Sequence, residues 1–192
     1  MKNGAPAVVT FTGVKTLYFV FLLIFSLASG ILMAAPAANA FENLSAGMKA
    51  PNFTLKGVDG RTMGFSDIKG QKLTVLLFWS TWSAYSPDAL KQMEQIYNKY
   101  KNRGLSVVAI DVDSQDITTG TLSQIKAETD RMKLGFPVTL DCGLTAFHDY
   151  GVMAVPSTVI LDKNRVIKYE LAGFPLMGSA DMANYIASRF RQ

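Results

Sequence analysis

The chain is patterned as short apolar runs separated by amphipathic stretches. Leu73 to Trp79 is almost continuously apolar and bounded by polar residues, which predicts a strand buried on both faces. Leu90, Met93, Ile96/Tyr97 and Tyr100 recur at threes and fours, which predicts a helix stopped by Gly104. Leu105 to Val112 reads as a second buried strand. Leu122, Ile125, Thr129 and Met132 predict another helix, ended by Gly135. Phe136 to Leu140 is a third strand, and Leu144 to Tyr150 a short helix. Upstream, Phe53-Thr54-Leu55 runs into the Gly57–Gly60 turn and returns through Arg61-Thr62-Met63. Ser66 to Gly70 is a second turn. Downstream, Ser157 to Leu161 and Arg165 to Leu171 flank the turn Asp162-Lys163-Asn164. Ser179 opens a last helix carrying Met182, Tyr185, Ile186 and Phe190.

The order is a β-hairpin, then β-α-β-α-β-α, then a second hairpin and a closing helix. Strands alternating with helices predict a parallel central sheet, and the terminal hairpin must add antiparallel strands. The expected fold is therefore α/β, a mixed sheet flanked by helices with right-handed crossovers.

The first 40 residues are of a different kind. Residues 1–15 carry Lys2 and Lys15 and no acid, and Thr16 to Ala35 is almost wholly apolar. Ala38-Asn39-Ala40 then supplies the small residues of a cleavage site ahead of Phe41. A positive start, an apolar centre and an A-x-A exit make an export signal. The alternative is an uncleaved anchor through residues 16–35, since about 20 apolar residues span a bilayer. Either reading places residues 41–192 outside the cytoplasm, in the periplasm or its equivalent. Those residues make one domain of ordinary size.

Charge adds little at this level. The chain has 19 Lys+Arg and 15 Asp+Glu, and beyond the leader 17 bases face 15 acids without any basic block. That balance is too small and too scattered to argue for an anionic membrane, and no nucleic-acid partner is expected. The single cysteine, Cys142, excludes an intrachain disulfide, and the single histidine, His148, excludes any site needing two imidazoles.

The segment Phe78-Trp79-Ser80-Thr81-Trp82-Ser83-Ala84-Tyr85-Ser86 resembles the active-site segment of the thioredoxin-like TlpA/ResA family of exported thiol-disulfide oxidoreductases, F-W-A-T-W-C-x-x-C. Ala50 to Leu55 is similar to that family's A-P-x-F-x-L opening, and Phe65 to Gly70 to its L-S-D-L-K-G turn. Phe136 to Asp141 is similar to F-P-V-x-x-D. Tyr150-Gly151-Val152 through Val155-Pro156-Ser157-Thr158 resembles the Y-G-V-x-x-V-P-T segment with its cis-proline. The resemblance spans about residues 48–190. It implies a thioredoxin-like fold with an N-terminal hairpin and an inserted helix and strand. It implies no cofactor and no metal: exported copper chaperones of this fold use a cysteine pair and a histidine, and Met153 beside Pro156 does not replace them.

The departures from the family concern its chemistry. Both dithiol positions are serine, Ser83 and Ser86. Thiol-disulfide exchange needs a thiolate to attack and a second thiol to resolve the mixed disulfide, and a hydroxyl forms no disulfide. Where the family places a glutamate three residues after its second cysteine, this chain has Ala89. Asp88 lies one position earlier, about 100° round a helix. Ser86-Pro87-Asp88 also reads as a helix start, with Ser86 as N-cap, Pro87 first in the helix and an acid in the first turn. A hydrolytic role for Ser83 would require His148 as its base.

Two functional readings follow. In the first, the resemblance implies a binding groove that needs no thiols. Val155, before Pro156, offers its backbone N–H and C=O to an extended extracytoplasmic protein or peptide, beside a rim of Trp82, Ala84 and Tyr85. In the second, Cys142 acts alone as a mixed-disulfide or peroxide-reactive thiol. Ser83, Asp113 and Cys142 all follow parallel strands and should share one rim. The carboxylate of Asp141 beside Cys142 disfavours a thiolate.

Overall fold

The computed structural model describes residues 41, 44–113, 116–173 and 179–191. The reading of residues 1–40 as signal or anchor lies outside the described residues. Within them no helix is long and apolar enough to cross a membrane.

Seven strands form one sheet in the order β2-β1-β5-β4-β3-β6-β7. The strands are β1 (Thr54–Gly57), β2 (Thr62–Gly64), β3 (Leu73–Trp79), β4 (Leu105–Asp111), β5 (Val138–Leu140), β6 (Ser157–Asp162) and β7 (Ile167–Ala172). The helices are α1 (Phe65–Ile68), α2 (Ser86–Tyr100), α3 (Thr119–Met132), α4 (Thr145–Asp149) and α5 (Ser179–Arg189). β3, β4 and β5 are parallel. The hairpin β1–β2 joins through β1 antiparallel to β5, and β6–β7 joins through β6 antiparallel to β3. This is the mixed sheet that the order of runs predicts.

β3 is buried at all seven positions because both of its faces are covered. Val75, Leu77 and Trp79 point into one core with Leu90, Met93, Ile125, Met182 and Ile186, from the inner faces of α2, α3 and α5, and with Phe190 just beyond α5. Leu76 and Phe78 point into the other, with Phe53, Phe65, Tyr150 and Val152. Phe41 belongs to this second cluster, fully buried and bridged to Val152. Tyr150 packs against Phe53 and Phe78, and its hydroxyl donates to the Pro51 carbonyl at 2.9 Å.

Several boundaries move for local reasons. Ser66–Gly70, read as a turn, begins inside the single helical turn α1. Gly64 N donates to Asp67 Oδ2 at 2.8 Å, which closes that turn. Gly70 is needed where it stands, since a Cβ there would meet the Leu73 carbonyl oxygen at 2.0 Å. A 3-10 turn, Lys101–Arg103, separates α2 from Gly104, which takes the left-handed conformation with φ 101°. Lys133 ends α3 left-handed, two residues before the Gly135 that the pattern suggests. β5 is only three residues long because Pro137 before it has no N–H to donate, although its carbonyl accepts from Ala109 N at 3.0 Å. α3 starts earlier than its apolar pattern because Thr118 caps it, Oγ1 accepting from Thr121 N at 3.1 Å. Thr118→Ala should lower the unfolding free energy by about 1 kcal/mol, and a denaturant midpoint unchanged from wild type would show the cap to be idle.

Candidate functional site

The site lies where β3 ends and α2 begins, at the rim formed by the C-terminal ends of the parallel strands. Trp79, the last residue of β3, is buried and pairs with Asp111 of β4. The loop then crosses to β4. Thr81 donates through its N–H and its hydroxyl to the two carboxylate oxygens of Asp113, both at 2.5 Å. That clamp fixes the path of the chain into Trp82 and Ser83.

Ser83 and Ser86 are both buried, whereas Trp82, Ala84 and Tyr85 between and beside them are exposed. Ser86 N donates to Ser83 O at 3.1 Å, so the four residues form a tight turn into the helix. The N-cap of α2 is Tyr85, not Ser86. Ser86 is the first helical residue, Pro87 the second, and no side chain caps the end. The reason is competition: Ser86 Oγ accepts from Ser80 N at 3.2 Å, so it ties the β3–α2 loop instead of an α2 amide.

Ser83 faces the loop before β6. The Val155–Pro156 peptide is cis, and Ser83 Oγ donates to the Val155 carbonyl at 3.2 Å. The expectation that Val155 offers both backbone groups is thereby narrowed, because one lone pair of its carbonyl already accepts from Ser83. Pro156 is buried, Val155 half-buried and Met153 exposed. Trp82 is 67% exposed, Tyr85 52% and Met153 68%, large apolar side chains left in solvent around the Ser83–Val155 pair. His148 is exposed on α4 with its ring against Phe147, and the one hydrogen bond from the Ser83 hydroxyl goes to Val155.

Cys142 follows β5 on the same rim and is exposed. β4 lies between β5 and β3, so the thiol stands two strands away from Ser83. The carboxylate of Asp141 is turned into α4, accepting from Ala146 N at 3.0 Å and Phe147 N at 2.7 Å. Its burial raises its pKa, against those amides. Among the described residues no group of three or more His, Cys, Asp or Glu is placed to hold a metal ion.

Asp111 was not singled out by the sequence patterns. It is fully buried under the rim, and its Oδ1 accepts from Asp113 N at 3.2 Å while Oδ2 has no partner. Burial, then the charge of Asp113, pushes its pKa up to about 8. The one signal for it in sequence is an acid closing an otherwise apolar strand run.

The chain as a whole is similar to known proteins. Residues 46–170 match the AhpC/TSA family. The chain belongs to that family. It is 31% identical over 154 residues to the thiol-disulfide oxidoreductase ResA of Bacillus cereus (strain ATCC 10987 / NRS 248), covering 80% of this chain and 85% of the relative. It is 36% identical over 123 residues to the thioredoxin-like protein YneN of Bacillus subtilis (strain 168), covering 64% and 68%. Among solved structures, a putative thiol:disulfide interchange protein DsbE from Chlorobium tepidum superposes with a TM-score of 0.67 at 27% identity, over 77% of this chain and 99% of that one. The fold is thioredoxin-like, and the chain is a ResA/DsbE-type member of the thiol-disulfide oxidoreductase relatives within the AhpC/TSA family. The ResA and DsbE relatives are named for thiol-disulfide chemistry, and this chain has serine at 83 and 86 and a single cysteine, Cys142.

Proposed function

We propose that the Ser83–Pro156 groove is a non-catalytic binding site for an extended protein or peptide segment outside the cytoplasm, in a thiol-redox or cytochrome-maturation setting. The observation that carries this reading is the Ser83 Oγ–Val155 O hydrogen bond at 3.2 Å. It replaces the reacting pair by a fixed hydroxyl and leaves an exposed apolar rim of Trp82, Tyr85 and Met153 beside it. Aromatic side chains around a buried polar centre are the usual anchors of a peptide contact.

The reading is tested with residues 41–192, a stretch lying within the compact unit 39–192. The chain has two tryptophans, and Trp79 is 1% exposed, so a fluorescence change on binding reports Trp82. Reduced, carboxymethylated ribonuclease A, an unfolded chain without thiols or tryptophan, should shift that emission. Tyr85→Ala should weaken its binding by about ten-fold, as expected of one anchor side chain. Wild type and Cys142→Ser should both be silent in disulfide-reductase turnover. If wild type turns over and Cys142→Ser abolishes it, the protein is a one-thiol enzyme and the proposal is wrong.

A further inference from the structure

The end of the sheet opposite the Ser83 rim gathers basic side chains from distant parts of the chain. The β6–β7 turn forms a ridge there, and a cleft lies on each side of it. One cleft, of about 420 Å³, is lined by Lys72, Lys163, Lys168 and Arg189. The other, of about 340 Å³, shares Lys163 and adds Lys49, Lys69 and Arg165. Asp162 is the one acid among the described residues that line them. Its charge is used locally: Lys168 Nζ lies 3.1 Å from Oδ2, and Oδ1 accepts from Asn164 N and Val166 N, both at 2.9 Å. Lys72 and Arg189 have no carboxylate within salt-bridge distance among the described residues. They lie over aromatic rings instead, Lys72 Nζ 5.6 Å from the centre of Phe190 and the Arg189 guanidinium 4.8 Å from that of Tyr185.

We infer that this basic end docks on an anionic lipid surface. A single small anion would fill one cleft, whereas a layer of phosphate headgroups meets both clefts and the ridge between them at once. Long cationic side chains lying on aromatic rings suit the boundary between headgroups and water. If the apolar stretch Thr16–Ala35 is retained as an anchor, it holds the domain at a membrane. β3 runs from Leu73, beside the clefts, to Trp79 at the rim, a rise of roughly 20 Å. A domain docked by its basic end therefore turns the Ser83–Val155 site away from the lipid. The inference does not depend on what that site binds.

The test is sedimentation of residues 41–192 with vesicles of phosphatidylcholine alone, or with about one third phosphatidylglycerol. Binding is expected to the anionic vesicles only, and to fall steeply as salt is raised. Lys72→Glu/Lys163→Glu should weaken it about thirty-fold. Lys91→Glu/Lys126→Glu, exposed on α2 and α3 and equal in net charge, should change it less than about three-fold. Matching circular dichroism spectra will establish that both variants fold. Equal loss in the two variants would reduce the effect to net charge and overturn the docking surface, as would equal binding to neutral vesicles. Displacement by inorganic phosphate beyond that by chloride at the same ionic strength would replace it with a small-anion pocket.

Discussion

Replacing Ser83 and Ser86 together by cysteine is expected to turn a protein without dithiol chemistry into a disulfide reductase. The two side chains stand at the start of a 15-residue helix and are joined by the Ser86 N to Ser83 O turn. Both are buried, at 7% and 1%, behind exposed Ala84 and Tyr85. A thiol introduced at 83 sits at the N-terminus of α2, whose dipole favours the thiolate. It can attack a substrate disulfide and release one substrate thiol. The thiol at 86 then displaces the second, leaving the protein oxidised at 83–86 and the substrate fully reduced. With dithiothreitol to restore the pair, turnover should rise at least about a hundred-fold above the wild-type background. Without dithiothreitol, Ser83→Cys alone should stop at the mixed disulfide. Asp88 is exposed and Ala89 carries no acid, so proton delivery depends on solvent and the rate should stay well below that of a member with the acid in place. A double variant that forms the 83–86 disulfide yet reduces nothing would show that the serines are not the only loss.

Stability should fall as pH rises from 5 to 9, and Asp111→Asn should remove most of that slope. Burial, then the Asp113 charge, pushes the Asp111 pKa from 3.8 to about 8. Between those values the folded protein holds a proton that the unfolded chain has released, so raising pH favours unfolding. The contribution is complete below the unfolded value and lost as pH rises through the folded one. Its full size is on the order of several kcal/mol, because the group is wholly buried and Oδ2 is unpartnered. Asn at 111 keeps an acceptor for Asp113 N and carries no charge at any pH. Asp141 and Glu170, both raised by burial, add to the wild-type slope in the same direction and persist in the variant. Urea midpoints at pH 5, 7 and 9 decide the matter. Parallel wild-type and variant curves would mean that Asp111 is ionised throughout at little cost.

The two predictions come from different kinds of information. The loss of the dithiol is written in the residue types at 83 and 86, and the family resemblance places them. The titration of Asp111 depends on what covers it. In the sequence it is one of two acids in Asp111-Val112-Asp113, and only the pairing of β4 between β3 and β5 buries the first and leaves the second to hold Thr81.

What the sequence determined by itself was local and periodic. The buried run Leu73–Trp79, the 3–4 spacing of Leu90 to Tyr100 and the turn at Asp162–Asn164 specify elements because each depends on neighbours a few residues away. Element ends were less legible, since Ser86 could cap a helix or hold a loop, and the amide of Ser80 won. Tertiary structure alone decided the long-range contacts: Ser83 against Val155, 72 residues on, and Thr81 against Asp113, 32 residues on. It also gathered lysines and arginines from positions 49 to 189 around one turn. The physical reason is that strand order and the burial it creates bring distant side chains together, and no linear pattern of charge or hydrophobicity encodes those distances.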